Sequence, residues 1–217
     1  MDTAVPDFRQ AFLDFSLKQG VLKFGSFTTK SGRNTPYFFN SGLFNNGEAL
    51  RRLGEYYAQA YLESGVPCDV LFGPAYKGIP LVAATAIALA AKGYNLPWAH
   101  DRKEIKDHGE GGKLVGSPLT GRVLIIDDVI TDGGAKREAI ELIRAQGAQP
   151  AAVLIALDRQ ERGRGDQSPV QEIERDYGIP VIAIATLADL FTYMRARASL
   201  AEHLPRIEAY REAYGVK

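Results

Sequence analysis

The chain has a single cysteine, Cys68, among 217 residues. It therefore has no internal disulfide and no second thiol to share a zinc ion, and a small core residue in a reducing compartment is expected. Net charge is also missing: 26 lysines and arginines face 26 aspartates and glutamates. No global field draws such a chain to nucleic acid or to an anionic membrane, so any anion site has to be built locally. The longest apolar run, Leu81 to Ala91, falls well short of the roughly 20 residues needed to cross a bilayer, and its small side chains suit a buried helix. The opening MDTAVPDFRQAFLDF puts acids where a signal peptide carries bases and has no continuous apolar core, so a cytoplasmic protein is expected. Internal repeats and low-complexity linkers are absent, which leaves one domain over residues 1–217 as the simplest organisation.

Apolar residues make up 46% of the chain, enough for a well-buried core. Asp7 to Gln19 spaces Phe8, Phe12 and Phe15 at helical intervals before Gly20. Two short aromatic runs, Phe24 to Thr29 and Tyr37 to Asn40, flank SGRNTP as a hairpin would. From Glu48 the pattern alternates. EALRRLGEYYAQAYLES, LVAATAIALAAKG, AKREAIELIRAQG and VQEIERDYG read as helices, and DVLFG, PWAHD, GRVLIIDD, AAVLIALD and PVIAIAT as strands. Continuous apolar strands alternating with helices predict an α/β fold with a mostly parallel sheet covered on both faces. Leu187 to Tyr214 is expected to add two packing helices, with Pro205 starting or interrupting one. The hairpin region, roughly residues 1–45, and part of the C-terminal region would form a small hood within the domain.

Three segments carry chemistry. In VLIIDDVITDGGA, residues 123–135, an apolar strand leads into Asp127 and Asp128 and then a glycine-rich turn. At the carboxyl edge of a parallel sheet, bare amides at Gly133 and Gly134 would surround a phosphate at the positive end of a helix, with Thr131 donating a hydroxyl. The two acids would accept bonds from the vicinal hydroxyls of a ribose and lie close enough to influence a bound magnesium ion. By itself an apolar strand ending in two acids is as often structural, because aspartate caps helices well. The same strand resembles the magnesium strand of P-loop nucleotidases, but no G-x-x-x-x-G-K-[ST] occurs. In LFGPAYKGIP, residues 71–80, Tyr76 and Lys77 follow a strand end, where a flexible ammonium suits a departing diphosphate. In DRKEIKDHGEGGKLVGS, residues 101–117, Arg102, Lys103, Lys106 and His108 stand among acids and glycines with no apolar stripe to dock, which reads as a loop able to act as a lid. Gly109, Gly111 and Gly112 would let it fold over a ligand. Two further segments set cations beside aromatic rings or a strand end: Lys30, Phe38 and Phe39 in TTKSGRNTPYFFNSG, and Arg159 in LDRQERGRG, just beyond a strand, where a guanidinium could pair with a carboxylate. By strand alternation, one of the two phenylalanines is expected to serve only the core.

VLIIDDVITDGGA resembles the phosphoribosyl pyrophosphate motif of type I phosphoribosyltransferases at all thirteen positions, with Gly134 where many members carry threonine or serine and Asp132 adding a negative charge. FGPAYKGI and RKEIKDHGEGG extend that likeness, and the latter closely resembles the catalytic loop of the orotate phosphoribosyltransferase family, whose bacterial form the chain resembles from about Phe12 to Tyr214. The resemblance implies transfer of the 5-phosphoribosyl group from phosphoribosyl pyrophosphate to orotate in UMP synthesis. It further implies magnesium held mainly by the substrate's diphosphate and ribose, without a dedicated protein cage, and a homodimer whose lid reaches the neighbouring site. Phosphoribosyl pyrophosphate would be held by Lys30, Tyr76, Lys77, Arg102, Lys103, Lys106 and His108 and by the loop Asp127, Asp128, Val129, Ile130, Thr131, Asp132, Gly133, Gly134 and Ala135. Orotate would meet Phe38, Phe39, Thr131 and Arg159. Catalysis would fall to Arg102, Lys103, Lys106, His108, Asp127 and Asp128, with His108 or Lys103 as the proton donor. The rival readings are a purine or uracil phosphoribosyltransferase, which needs no Arg159, and a noncatalytic sensor binding RNA or DNA, against which the balanced charge argues. No membrane or nucleic-acid partner is expected.

Overall fold

The computed structural model describes residues 7–29, 32–106, 112–131, 133–163 and 165–216. Among the expected site residues, Lys30, His108 and Asp132 lie outside these, as do the lid glycines Gly109 and Gly111. Lys106 is described as a backbone position only.

Helix α1 (Phe8–Lys18) starts where the Asp7 carboxylate accepts from the Arg9 amide, and it buries Phe12 and Phe15. Strands β1 (Leu22–Thr28) and β2 (Asn34–Phe39) form the expected antiparallel hairpin. After α2 (Gly47–Ser64) the chain alternates through β3 (Val70–Gly73), α3 (Gly78–Ala90), β4 (Trp98–Lys106), β5 (Gly112–Gly116), β6 (Arg122–Ile126), α4 (Gly134–Ala145), β7 (Gln149–Asp158), α5 (Pro169–Tyr177) and β8 (Val181–Thr186). Helix α6 (Leu187–Arg195), a 3₁₀ turn over Ala198–His203 and α7 (Leu204–Tyr214), with Pro205 in its first turn, complete it. Six strands pair in the order β5-β4-β3-β6-β7-β8, all parallel except β4 with β5.

Because side chains alternate along a strand, each central strand feeds two cores. Leu71, Leu124, Ile126, Leu154 and Ile184 face the layer of α1, α2, α3, α6 and α7, while Val70, Phe72, Val123, Ile125, Val153 and Ile155 face residues of α4 and α5. Double-sided burial is why these strands read as unbroken apolar runs. Cys68 is buried, as expected, and burial pushes its thiol up to about 11.

Two expectations are corrected. The segment read as a loop over residues 101–117 is mostly strand: β4 runs on to Lys106 and β5 returns beside it, pairing Asp101 with Leu114 and Ala99 with Gly116. An edge hairpin needs no apolar stripe, because charged side chains on an edge strand keep to water, so its charges conceal it. Helix α3 is not buried all round either. Leu81, Val82, Thr85, Ala86 and Leu89 face the core, but Ile87 is 71% exposed, with Pro80, Ala90 and Ala91 also at the surface.

At the turn from β3 into α3 two glycines bring backbone against backbone. A Cβ on Gly73 would lie 2.3 Å from the Gly78 carbonyl oxygen and 2.6 Å from a Val82 methyl. Gly73→Ala is therefore expected to destabilise the fold by about 1–3 kcal/mol through overpacking, and calorimetry should show a Tm lower by roughly 2–12 °C. An unchanged Tm would mean that the two backbones separate freely.

Candidate active site

The parallel strands β3 and β6 end level with each other, at Gly73 and Ile126, β7 runs on past them to Asp158, and the chemistry-bearing residues follow these ends. Asp127 and Asp128 leave β6 with their backbone still bonded to β7: the Asp127 amide donates to the Leu154 carbonyl at 3.0 Å and the Ala156 amide to the Asp128 carbonyl at 2.8 Å. The Tyr57 hydroxyl, from buried α2, donates to the Asp127 carbonyl at 2.8 Å. Both carboxylates are thereby held at the sheet edge by structure on two sides.

Each carboxylate has its own lysine. Asp127 Oδ2 lies 2.6 Å from Lys136 Nζ, whose ammonium also donates to the Val129 carbonyl at 2.6 Å. Asp128 Oδ2 lies 2.6 Å from Lys77 Nζ and accepts from the Ser41 hydroxyl at 2.8 Å, while its Oδ1 accepts from the Val129 amide at 2.7 Å. Burial pushes the Asp127 carboxyl above its ordinary range against the pull of Lys136. Burial pushes Asp128 the same way, but Lys77, the Val129 amide and Ser41 outweigh it and hold that carboxyl below the usual range. Neither acid caps α4. Gly133 occupies the cap at φ +77°, a backbone conformation that suits glycine, so the chain turns here into the positive end of α4 without a side chain at the cap. Thr131 is exposed beside it, and Val129 and Ile130 are half-buried.

Tyr76 and Lys77 occupy the turn between β3 and α3, both exposed, and the Ala75–Tyr76 peptide is cis. Asp101, buried on β4, accepts from the Ala75 amide at 2.5 Å and so ties this turn to the strand that carries Arg102 and Lys103. Arg102 is half-buried; the Lys103 ammonium projects to 3.7 Å from Glu138 of α4.

On β2 of the hairpin, Phe38 and Phe39 divide as alternation predicts. Phe38 is 40% exposed and stacks on Phe27 with ring centres 5.4 Å apart, while Phe39 packs towards Phe12 in the core. Arg159 is not the surface arginine that its sequence context first suggests. Its Nε and Nη2 donate to Glu161 Oε1 at 2.8 and 2.7 Å, Nη2 also donates to Thr35 Oγ1 at 3.1 Å, and the guanidinium lies 4.4 Å over the Tyr37 ring. The Tyr37 hydroxyl donates to the same Glu161 oxygen at 3.2 Å. Burial lowers the Arg159 proton affinity, but Tyr37 and Glu161 more than restore it.

Lys136, Ser41, Tyr57, Asp101 and Glu161 belong to this arrangement and were not singled out from sequence. Only Lys136 leaves a trace there. It shares a helical face with Ala139, Ile140 and Ile143, and a cation on an apolar face has to find a buried partner. The others act across sequence separations that no local pattern records. Among the described residues no group of three histidine, cysteine, aspartate or glutamate side chains could hold a metal ion. The oxygen donors at the edge, Asp127 and Asp128, are each matched by an ammonium, a set that suits a hard cation bringing most of its ligands with a phosphate-bearing substrate.

Residues 40–185 match the family model described as phosphoribosyl transferase domain. The orotate phosphoribosyltransferase of Thioalkalivibrio sulfidiphilus is 63% identical over 96% of this chain and 99% of its own length. That of Pseudomonas aeruginosa is 59% identical over 96% and 99%. The crystal structure of the Francisella tularensis orotate phosphoribosyltransferase, 44% identical, superposes with a TM-score of 0.85 over 94% of this chain and 99% of that one.

Proposed function

The chain belongs to the orotate phosphoribosyltransferases of the phosphoribosyl transferase domain family, and from that membership we propose how its own residues divide the work. The reaction moves the 5-phosphoribosyl group of phosphoribosyl pyrophosphate onto orotate, giving orotidine 5'-monophosphate and pyrophosphate in UMP synthesis. The observation that carries the reading is the pair of adjacent carboxylates at the end of β6, each with a lysine at 2.6 Å, beside a helix that opens on glycine.

Asp127 and Asp128 accept the ribose hydroxyls, and the loop Val129 to Ala135, with Asp132 inside it, wraps the 5-phosphate through the Gly133 and Gly134 amides and the Thr131 hydroxyl. Lys77 follows the diphosphate, leaving Asp128 to the sugar; Tyr76 and Lys30 flank the same group. As the bond at ribose C1 lengthens, positive charge grows there and negative charge on the leaving diphosphate. Arg102, Lys103, Lys106 and His108 meet that negative charge, with His108 or Lys103 giving the proton. Orotate lies against Phe38, with Phe39 left to the core behind it, touches Thr131 and directs its carboxylate to Arg159, whose bonds to Glu161 and Thr35 use Nε and Nη2 and leave Nη1 as the edge for the base. Asp127 and Asp128 would face a magnesium ion that arrives with the substrate, and such an ion would supply positive charge to offset the phosphates.

The hairpin β1–β2 and α7, which packs on β2, form the hood of a single domain. The working unit is a homodimer whose lid reaches the neighbouring site. Support comes from the outer face of α3, where Ile87, Pro80, Ala90 and Ala91 form an exposed uncharged strip, with Tyr94 and Trp98 exposed further along the chain, apolar surface of the kind that oligomers cover. No helix among the described residues is long and apolar enough to cross a membrane. The same reading has the enzyme working in the cytoplasm without a nucleic-acid partner.

Purified protein mixed with orotate, phosphoribosyl pyrophosphate and magnesium is expected to consume orotate and release pyrophosphate in equal amounts. Adenine or uracil in place of orotate should release little, and a magnesium chelator should stop the reaction. Pyrophosphate release with uracil or adenine but not with orotate would overturn the assignment of the base.

A further inference from the structure

The two lysines that meet the paired acids are not equivalent. Lys77 sits on an exposed turn with 59% of its side chain in water, so its ammonium is able to leave Asp128 and travel with a diphosphate. Lys136 is 6% exposed on the first turn of α4, sealed under the apolar face that Ala139, Ile140 and Ile143 continue. A helix N-terminus is the wrong end for a cation, and a buried ammonium is costly without partners. Helix stability therefore does not explain it. Its partners do: Asp127 Oδ2 and the Val129 carbonyl oxygen, each at 2.6 Å. One oxygen belongs to the acid at the end of β6, and the other begins the phosphate loop.

We propose that Lys136 is a positioning residue for phosphoribosyl transfer, a permanent counter-ion that keeps Asp127 ready to accept ribose hydroxyls and fixes the spacing between that acid and the phosphate loop. When Lys77 moves to the diphosphate, Asp127 still has its cation, and the loop is still tied to the acid by one ammonium. The groups facing Asp127 are Lys136 from α4, Asp128 beside it in the chain, and the Tyr57 hydroxyl from α2 on its carbonyl. Of these only Lys136 favours the ionised carboxylate by its charge. The inference rests on the reading of Asp127 as a ribose acceptor.

The test is a cycle of Lys136→Met, Asp127→Asn and the double variant, with kcat/KM for phosphoribosyl pyrophosphate and KM for orotate followed against pH. Lys136→Met keeps most of the side-chain length and removes the charge. It is expected to lower kcat/KM for phosphoribosyl pyrophosphate about tenfold or more at neutral pH and to move the acid limb upward, because only the Asp128 amide then opposes the burial of the Asp127 carboxylate. KM for orotate should stay where it is. In the Asp127→Asn background the same change should have little further effect, since the group through which Lys136 acts is gone. Lys136→Gln, which keeps a donor without the charge, should shift the acid limb in the same direction and serves if the methionine variant does not fold. The double variant leaves no buried charge unpaired and should fold best. An acid limb that stays in place, or an equal loss in both backgrounds, would reduce Lys136 to a packing role. A fully active Asp127→Asn enzyme would overturn the ribose reading together with this inference, whereas an impaired Asp127→Asn with an unaffected Lys136→Met would overturn this inference alone.

Discussion

Lys103→Ala is expected to lower kcat about 10²- to 10³-fold, the effect of removing one donor aimed at charge that develops in the transition state. Folding should be untouched. The described contact of Lys103 is a 3.7 Å approach to Glu138, with both side chains well exposed, and an exposed pair of that kind contributes about 0–1 kcal/mol. Stopped-flow turnover and a thermal melt on the same sample separate the two effects: near-normal turnover removes this lysine from the mechanism. The variant also tests the dimer. Mixed with Asp128→Asn, which damages the other half of the site, it should regain activity if lids cross between subunits, because a hybrid dimer then carries one intact site and one doubly damaged site. No recovery after the two variants have exchanged subunits would mean that each lid serves its own chain.

The second large effect concerns the base. Arg159→Leu is expected to lower kcat/KM for orotate by about 100-fold or more, since the carboxylate loses a charge-assisted partner in a desolvated place. KM for phosphoribosyl pyrophosphate should change little. Arg159→Lys should recover only a small part, because one ammonium cannot keep both the Glu161 and Thr35 contacts and still present a second edge to a ligand. Steady-state kinetics with orotate and uracil side by side give the readout. An unchanged ratio between the two bases in Arg159→Leu would remove this arginine from base selection. Glu161 and the Tyr37 hydroxyl lose their cation in this variant, so some loss of thermal stability should accompany it.

The alternation of strands and helices was legible because strands buried on both faces are written as unbroken apolar runs, as in VLII and VLIAL. Periodicity served less well at the surface. The β4–β5 hairpin was hidden by its charges, and α3 looked buried because its exposed face is as apolar as its inner one. The glycine turn and acid pair could be found from residue type and order alone, since backbone amides and carboxylates act where the chain puts them. What surrounds them could not. Ser41 reaches Asp128 across 87 positions, Tyr57 reaches Asp127 across 70, and the Arg159 guanidinium meets Thr35 across 124. Sequence places Arg159 at a strand end; the frame of Glu161, Thr35 and Tyr37 emerges only when the β1–β2 hairpin meets the end of β7.

The contact of Gly73 with Gly78 leaves the β3–α3 turn no slack, and the Asp101 carboxylate fastens the Ala75 amide from the other side. A loop so braced gives up its conformational entropy once, when the chain folds, rather than at every encounter with a ligand. Binding free energy released there is then available for bringing sugar and base into reacting distance instead of ordering the protein.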